Sequence, residues 1–138
     1  MKLFPDYIIK RRFQIQKIIL KIRGAQVGEG NTFNDWIKIS GSVINLKIGN
    51  SNVFNKFILL NCKDKITIGN HNHFSAGCKL ITTRLSDDLS SHVSNPITIE
   101  DNTWLAVDVV IATNKEPISI GSNIIIGAKS LILKSLYV

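Results

Sequence analysis

The sequence predicts an all-β fold, a left-handed parallel β-helix of about five coils with an N-terminal amphipathic helix. Two observations predict it. Short phrases recur along the chain: "AQVGEGN", "LKIGNSN", "ITIGNHN", "ITIEDNT" and "ISIGSNI", each an aliphatic residue followed by Gly (once Glu) and then small or polar residues. Stepping by six from each aliphatic finds an apolar residue twice more. The series are Val27, Phe33, Ile39; Ile48, Phe54, Leu60; Ile68, Phe74, Leu80; Ile99, Leu105, Ile111; and Ile120, Ile126, Ile132. Three hits per group at a period of six mean a triangular coil, each side a short strand with one apolar residue aimed into the prism. Successive coils stack, pair their strands in parallel and share one apolar interior. A β-sandwich also uses short strands, but they alternate with period two at irregular spacing and would not keep a six-residue phase along most of the chain.

The elements follow in order. Residues 1–24 form a basic arm. Within "PDYIIKRRFQIQKIILKIR" (5–23), Ile15, Ile18, Ile19 and Ile22 keep helical spacing with Arg11, Arg12, Lys17 and Lys21 between them, which reads as a basic amphipathic helix. Its apolar face is expected to cap the open end of the prism, where an unpaired strand edge needs cover; the second reading is docking on an anionic membrane surface. Residues 25–138 form the β-helix. The coils begin at Val27, Ile48, Ile68, Ile99 and Ile120, steps of 21, 20, 31 and 21 residues. Three strands of six make eighteen, so most joins carry two or three extra residues and the third carries thirteen. The residue after each leading aliphatic is expected to turn a corner, where Gly tolerates unusual backbone angles. The long join, "TTRLSDDLSSHVSN" (82–95), is an inserted loop with Arg84, Asp87, Asp88 and His92. Insertions on solenoids gather on the functional face, which makes this loop the leading candidate site.

Composition narrows the classes. The chain of 138 residues is 44% hydrophobic and 20% charged, enough for one domain with a real core. Its formal charge of +7 is uneven: residues 1–23 carry seven basic side chains and one acid, a net of +6, and the body only +1. The basicity therefore belongs to the arm, and no nucleic-acid partner is expected. No apolar run reaches the roughly 18 residues of a spanning helix, and charges interrupt every apolar stretch of the N-terminus, unlike a signal peptide. Cys62 and Cys78 lack metal-like spacing and are expected as reduced thiols of a cytoplasmic protein. His71 and His73 lie just after a corner, pointing outward. The His-x-His pair and His92 do not match the spacing by which β-helix carbonic anhydrases hold zinc, so no metal is expected.

The repeat resembles the hexapeptide-repeat acyltransferases, most closely sugar O-acetyltransferases of the colanic-acid and galactoside type. The residues that carry the resemblance are "KIILKIRGAQVG", "ITIGNHNHFSAGCKLITT", "NPITIEDNTWLAVDVVIA" and "ISIGSNIIIGAKSLILKS", covering residues 17–136. The resemblance implies a homotrimer with acetyl-CoA as co-substrate, held in a groove between neighbouring prisms. It implies that Trp104 lines the cofactor channel, that Ala106 and Val107 offer backbone amides to the thioester and pantetheine arm, that Ala128 is the small residue beside the pantetheine and that Lys134 meets the CoA phosphate. Asn55 falls where related sugar enzymes touch the acceptor. Relatives usually continue past the last coil with a Pro-rich turn and a tail; this chain stops at Val138.

Acetyl transfer to a hydroxyl needs a base, and a histidine, titrating near neutrality, can take the proton as the oxygen attacks the thioester. Backbone amides then stabilise the oxyanion. In the relatives this histidine stands early in the long loop, and counting forward without gaps lands on Leu85. His92, from the far side of the loop, is the candidate base, and His73 is another arrangement. The function expected is acetyl transfer to a sugar hydroxyl in surface polysaccharide assembly, in the cytoplasm or at the inner membrane face. The alternatives are a catalytically silent trimeric scaffold, which Leu85 favours, and an N-acetyltransferase acting on a nucleotide-sugar or amino-acid amine.

Overall fold

The computed structural model describes residues 11–137. Residues 11–14 are helical, Ile15 turns, and helix α1 (Gln16–Ile22) follows; the beginning of the predicted arm, with Lys2, Asp6 and Lys10, lies outside the described residues. The first coil is β1 (Gln26–Val27), β2 (Thr32–Phe33) and β3 (Lys38–Gly41); the second is β4 (Leu46–Ile48), β5 (Val53–Phe54) and β6 (Leu59–Cys62); the third is β7 (Ile66–Ile68), β8 (His73–Phe74) and β9 (Lys79–Ile81). A hairpin, β10 (Thr83–Leu85) and β11 (His92–Ser94), leaves the prism there. The fourth coil is β12 (Ile97–Ile99), β13 (Trp104–Leu105) and β14 (Val110–Ala112), and the fifth is β15 (Ile118–Ile120), β16 (Ile125–Ile126) and β17 (Leu131–Ile132). Equivalent strands stack into three parallel five-stranded walls, β1-β4-β7-β12-β15, β2-β5-β8-β13-β16 and β3-β6-β9-β14-β17. Among the described residues no helix is long and apolar enough to cross a membrane.

The register follows the apolar period residue for residue. Val27 pairs Ile48, Ile48 pairs Ile68, Ile68 pairs Ile99 and Ile99 pairs Ile120 on the first wall. The second wall aligns Phe33, Phe54, Phe74, Leu105 and Ile126. All fifteen positions of the period point inward, and all are buried except Ile39 and Ile132 in the end coils, which pack half-buried against the core. Phe33, Phe54 and Phe74 stack inside the prism, with ring centroids 5.4 and 4.9 Å apart and planes 8° and 12° from parallel. Identical residues at identical positions of a parallel stack leave room only for like rings face to face.

The corner glycines serve a different purpose from the one expected. Gly28, Gly49 and Gly69 do not adopt positive φ. They sit where the next coil approaches so closely that a Cβ on Gly28 would lie 2.5 Å from the Gly49 carbonyl oxygen, and one on Gly69 would lie 2.6 Å from that of Glu100. At this corner positive φ falls two residues later instead, at Gly30, Ser51, His71, Asn102 and Asn123, one in each coil. The corner between them is held by an asparagine ladder. Asn31, Asn52 and Asn72 each accept, through Oδ1, the amide of the equivalent residue one coil on (2.9, 2.9 and 2.8 Å), the last being Thr103. Each Nδ2 donates to that coil's carbonyl, at Gly49, Gly69 and Glu100 (2.8, 2.8 and 2.6 Å). Asn52 and Asn72 are fully buried, and the ladder meets the demand that buried polar groups be paired.

The arm caps the prism, with a different face from the one expected. Phe13, Gln16 and Leu20 are buried against the first coil. Gln14 donates to Phe33 O (2.7 Å) and accepts from Phe33 N (3.1 Å), and Gln16 does the same with Asp35 O (2.6 Å) and Ile37 N (2.9 Å). The two glutamine amides thus replace the strand that the open edge lacks. The isoleucine stripe is left in solvent, because satisfying unpaired backbone groups outweighs covering apolar surface at this edge.

Candidate functional site

The outer face of the second wall carries a connected row of polar and aromatic side chains. His73 and Trp104 are register partners on β8 and β13, so their side chains stand side by side. The Trp104 indole donates to Ser75 Oγ at 2.9 Å, and Ser75 is buried, which fixes the ring while leaving it 46% exposed. One coil earlier, Asn55 Nδ2 lies 3.2 Å from His73 Nε2. Asn34 Nδ2 donates to Asn55 Oδ1 at 2.8 Å. With its oxygen occupied by Asn34, the Asn55 amide turns its NH2 toward the imidazole Nε2. His73, Ser75 and Asn34 join the predicted Asn55 and Trp104 here. The outward alternation of "HNHFS" places His73 on this face, but only the fold brings Asn55 beside it.

Next to this wall, at the second corner, stand Ala106 and Val107. The Ala106 amide donates to Ile126 O at 3.0 Å, part of the ladder between coils. It is therefore not available to a ligand, and the expected pair of amides reduces to that of Val107, which has no hydrogen-bond partner among the described residues. Val107 is 46% exposed, and its carbonyl accepts from Lys129 N at 2.8 Å, which sets Ala128 directly above it in the next coil. Beneath lies Cys78, whose thiol donates to Ala106 O at 3.2 Å. Burial pushes the Cys78 thiol up to about 11, and the Cys62 thiol likewise; both are free and buried, unsuited to nucleophilic work.

The insertion at the third corner is a β-hairpin. β10 and β11 pair antiparallel, Thr83 with Ser94, Arg84 with Val93 and Leu85 with His92. The turn is tied by Asp88, which accepts from Ser86 Oγ (2.6 Å) and from Ser90 N (3.0 Å) and Oγ (2.7 Å); these bonds hold its carboxyl down at about 2. Arg84 anchors the hairpin to the prism through Asn114 O at 2.8 Å and pairs with Asp87 at 3.2 Å. Leu85, the gapless position of the relatives' base, and His92, the candidate base, are thus cross-strand neighbours with side chains on one face of the hairpin. Both are exposed. Lys134 lies at the same corner, lining a groove of about 420 Å³ with Asn114, Lys115, Glu116 and Ser135.

The predicted site residues therefore fall into two groups within one chain. Asn55, Trp104, Val107 and Ala128 share the second wall and its corner, while His92 and Lys134 stand at the third corner, beyond the third wall. Among the described residues, no three of His, Cys, Asp and Glu gather closely enough to hold a metal ion.

No protein-family model matches the chain. In sequence it is 29% identical over 127 residues to the colanic acid biosynthesis acetyltransferase WcaF of Escherichia coli (strain K12), a match covering 90% of this chain and 67% of that protein. In structure it superposes on a maltose O-acetyltransferase from Clostridium difficile 630 with a TM-score of 0.79, at 23% identity, covering 95% of this chain and 75% of the other. It also superposes on the hexapeptide-repeat acetyltransferase VCA0836 of Vibrio cholerae O1 biovar eltor in complex with acetyl-coenzyme A, with a TM-score of 0.73 at 20% identity, covering 95% and 73%. These structures share the fold. The six-residue repeat and the three stacked walls give the chain the fold of these hexapeptide-repeat acetyltransferases, and in sequence it is similar to WcaF.

Proposed function

We propose that the chain transfers an acetyl group from acetyl-CoA to a sugar hydroxyl in surface polysaccharide assembly, as a cytoplasmic homotrimer. The observation that carries this reading is the row Asn55, His73, Ser75 and Trp104, an exposed indole beside fixed amide and imidazole groups. Such a surface suits a hydroxylated ring, which stacks its apolar face on the indole and hydrogen-bonds at its rim. WcaF, by its name, serves colanic acid biosynthesis, and the same acceptor class is assigned here. The separation of the two residue groups supports an assembly of side-by-side prisms. In a cyclic trimer, one chain's third corner faces a neighbour's second wall, which joins His92 and Lys134 to Trp104 and Val107 across a subunit boundary.

In this site His92 takes the proton of the acceptor hydroxyl as its oxygen attacks the thioester carbonyl. The Val107 amide meets the oxyanion. The carbon–sulfur bond then breaks, and the CoA thiolate leaves and recovers the proton. His73, held by Asn55, orients the acceptor. His92→Ala should lower kcat by about a hundredfold or more, the usual worth of a general base, while His73→Ala should mainly raise the KM for the acceptor. An unchanged rate in His92→Ala removes it as base, and a collapse of kcat in His73→Ala moves the role there. The scaffold reading, which Leu85 at the base position favours, predicts no CoA binding by calorimetry at millimolar ligand.

A further inference from the structure

We propose that the exposed isoleucine face of the N-terminal helix docks the protein, prism end first, on an anionic membrane surface. The cap is made by Phe13, Gln14, Gln16 and Leu20. Ile15, Ile18, Ile19 and Ile22 take no part in it and are 50%, 58%, 41% and 80% exposed. At 100° per residue the centre of this stripe lies roughly 130° from the buried Gln16–Leu20 face. It therefore points away from the coils, along the prism axis. Ile44, 71% exposed, extends the patch: it lies against Gly24, just past the end of the helix.

Charge selects the occupant. Arg12 and Arg23 on one side and Lys17 and Lys21 on the other flank the stripe, Arg11 lies near its N-terminal end, and all but the half-buried Lys17 are exposed. Among the described residues the acid facing them is Glu29, which pairs with Lys17. A second copy of this face would bring two strongly basic arms together across an apolar seam, and prisms packed side by side meet through their walls and leave this end open. A bilayer with anionic headgroups answers both features: the isoleucines enter the acyl boundary while lysine and arginine stems reach to the headgroups. One such helix is a weak anchor. In a trimer of parallel prisms three of them point the same way and act together.

The test is co-sedimentation of the full chain with vesicles of phosphatidylcholine alone and of phosphatidylcholine with phosphatidylglycerol. Binding to the anionic vesicles should exceed that to neutral ones by roughly tenfold and should weaken as salt screens the arm. Ile18→Asp/Ile22→Asp should abolish it, and Lys21→Glu/Arg23→Glu should lose the preference for anionic lipid. All four positions are exposed, so thermal melting should not change; melting of each variant is measured to establish this. Equal binding to both vesicles, or full binding by Ile18→Asp/Ile22→Asp, overturns the proposal. So does a smaller particle by light scattering for Ile18→Asp/Ile22→Asp without lipid, which would make the face a contact between copies of the chain. The vesicle readout is independent of acetyl transfer, so loss of one reading leaves the other standing.

Discussion

Replacing Asn52 with Ala removes the middle rung of the asparagine ladder. Asn52 is fully buried, with Oδ1 accepting from Asn72 N at 2.9 Å and Nδ2 donating to Gly69 O at 2.8 Å. The substitution leaves one backbone donor and one backbone acceptor unpaired between coils two and three. Each such group costs about 1–3 kcal/mol, and Gly69, being half-buried, falls at the low end, so the loss should be about 2–5 kcal/mol. Asn52→Asp separates the two halves of the rung. It keeps an acceptor for Asn72 N but faces Gly69 O, and Asn31 Oδ1 at 3.0 Å, with a second oxygen. Only the protonated acid can donate there, so the folded-state pKa of this Asp is raised above its unfolded value of about 3.9. Stability is then fully present below that unfolded pKa and is lost as pH rises through the folded one. Urea denaturation followed by circular dichroism, at several pH values and relative to the parent chain, reads both variants. A cost below about 0.5 kcal/mol for Asn52→Ala would mean that water serves these groups as well as the ladder does. An Asn52→Asp cost that does not shrink toward low pH would refute the assignment of donor and acceptor.

Phe54→Ala removes the central ring of the stacked three and should cost about 3–5 kcal/mol in the same denaturation assay. Gly69→Ala forces a Cβ against the Glu100 carbonyl, which belongs to backbone and cannot move aside; the melting temperature should drop well below that of an exposed-site Ala control. Cys62 and Cys78 should not react with Ellman's reagent near pH 8 in the native protein and should both react once it is unfolded. Because their folded pKa values are raised, their contribution to stability is complete below about 9 and is lost as pH climbs toward about 11. Leu85→His places an imidazole beside His92 on the hairpin face, and steady-state kinetics should show a rate at least equal to the parent's; a fall in kcat would place the working base away from this face.

The repeat made the fold legible because inward residues of a prism must be apolar and recur with the coil. Even the register of all three walls follows from the fifteen positions. What the period hides is polar. Asn31, Asn52 and Asn72 look like turn residues in the sequence, yet they are buried structural members, since only a parallel stack puts their amides one coil apart. Gly28, Gly49 and Gly69 look in the sequence like residues chosen for backbone angle, because tightness between coils leaves no separate trace there. The hairpin was hidden for a related reason: Thr83–Leu85 and His92–Ser94 are short and polar, and they pair only with each other. On the helix, the isoleucines keep helical spacing, but glutamines, not isoleucines, offer what an open strand edge needs. The candidate site was half legible. Trp104 and Asn55 can be picked out from the resemblance, while the His73 contact that links their row and the occupied Ala106 amide depend on packing between coils.

The asparagine ladder also has a direction. Each amide in it reaches forward, its Oδ1 and Nδ2 each meeting a backbone group of the coil that comes after it in the chain. The capped end is the end synthesised first, and each of the first three coils presents a preset donor and acceptor to the coil that follows, about twenty positions later for Asn31 and Asn52 and 28 and 31 positions later for Asn72, across the insertion. Such a chain can be built in the order in which the ribosome delivers it, each turn serving as a mould for the next. The series ends at Thr103, since Ile124 holds the equivalent place in the fifth coil. Unravelling should therefore start from that last turn and run backwards, the reverse of assembly.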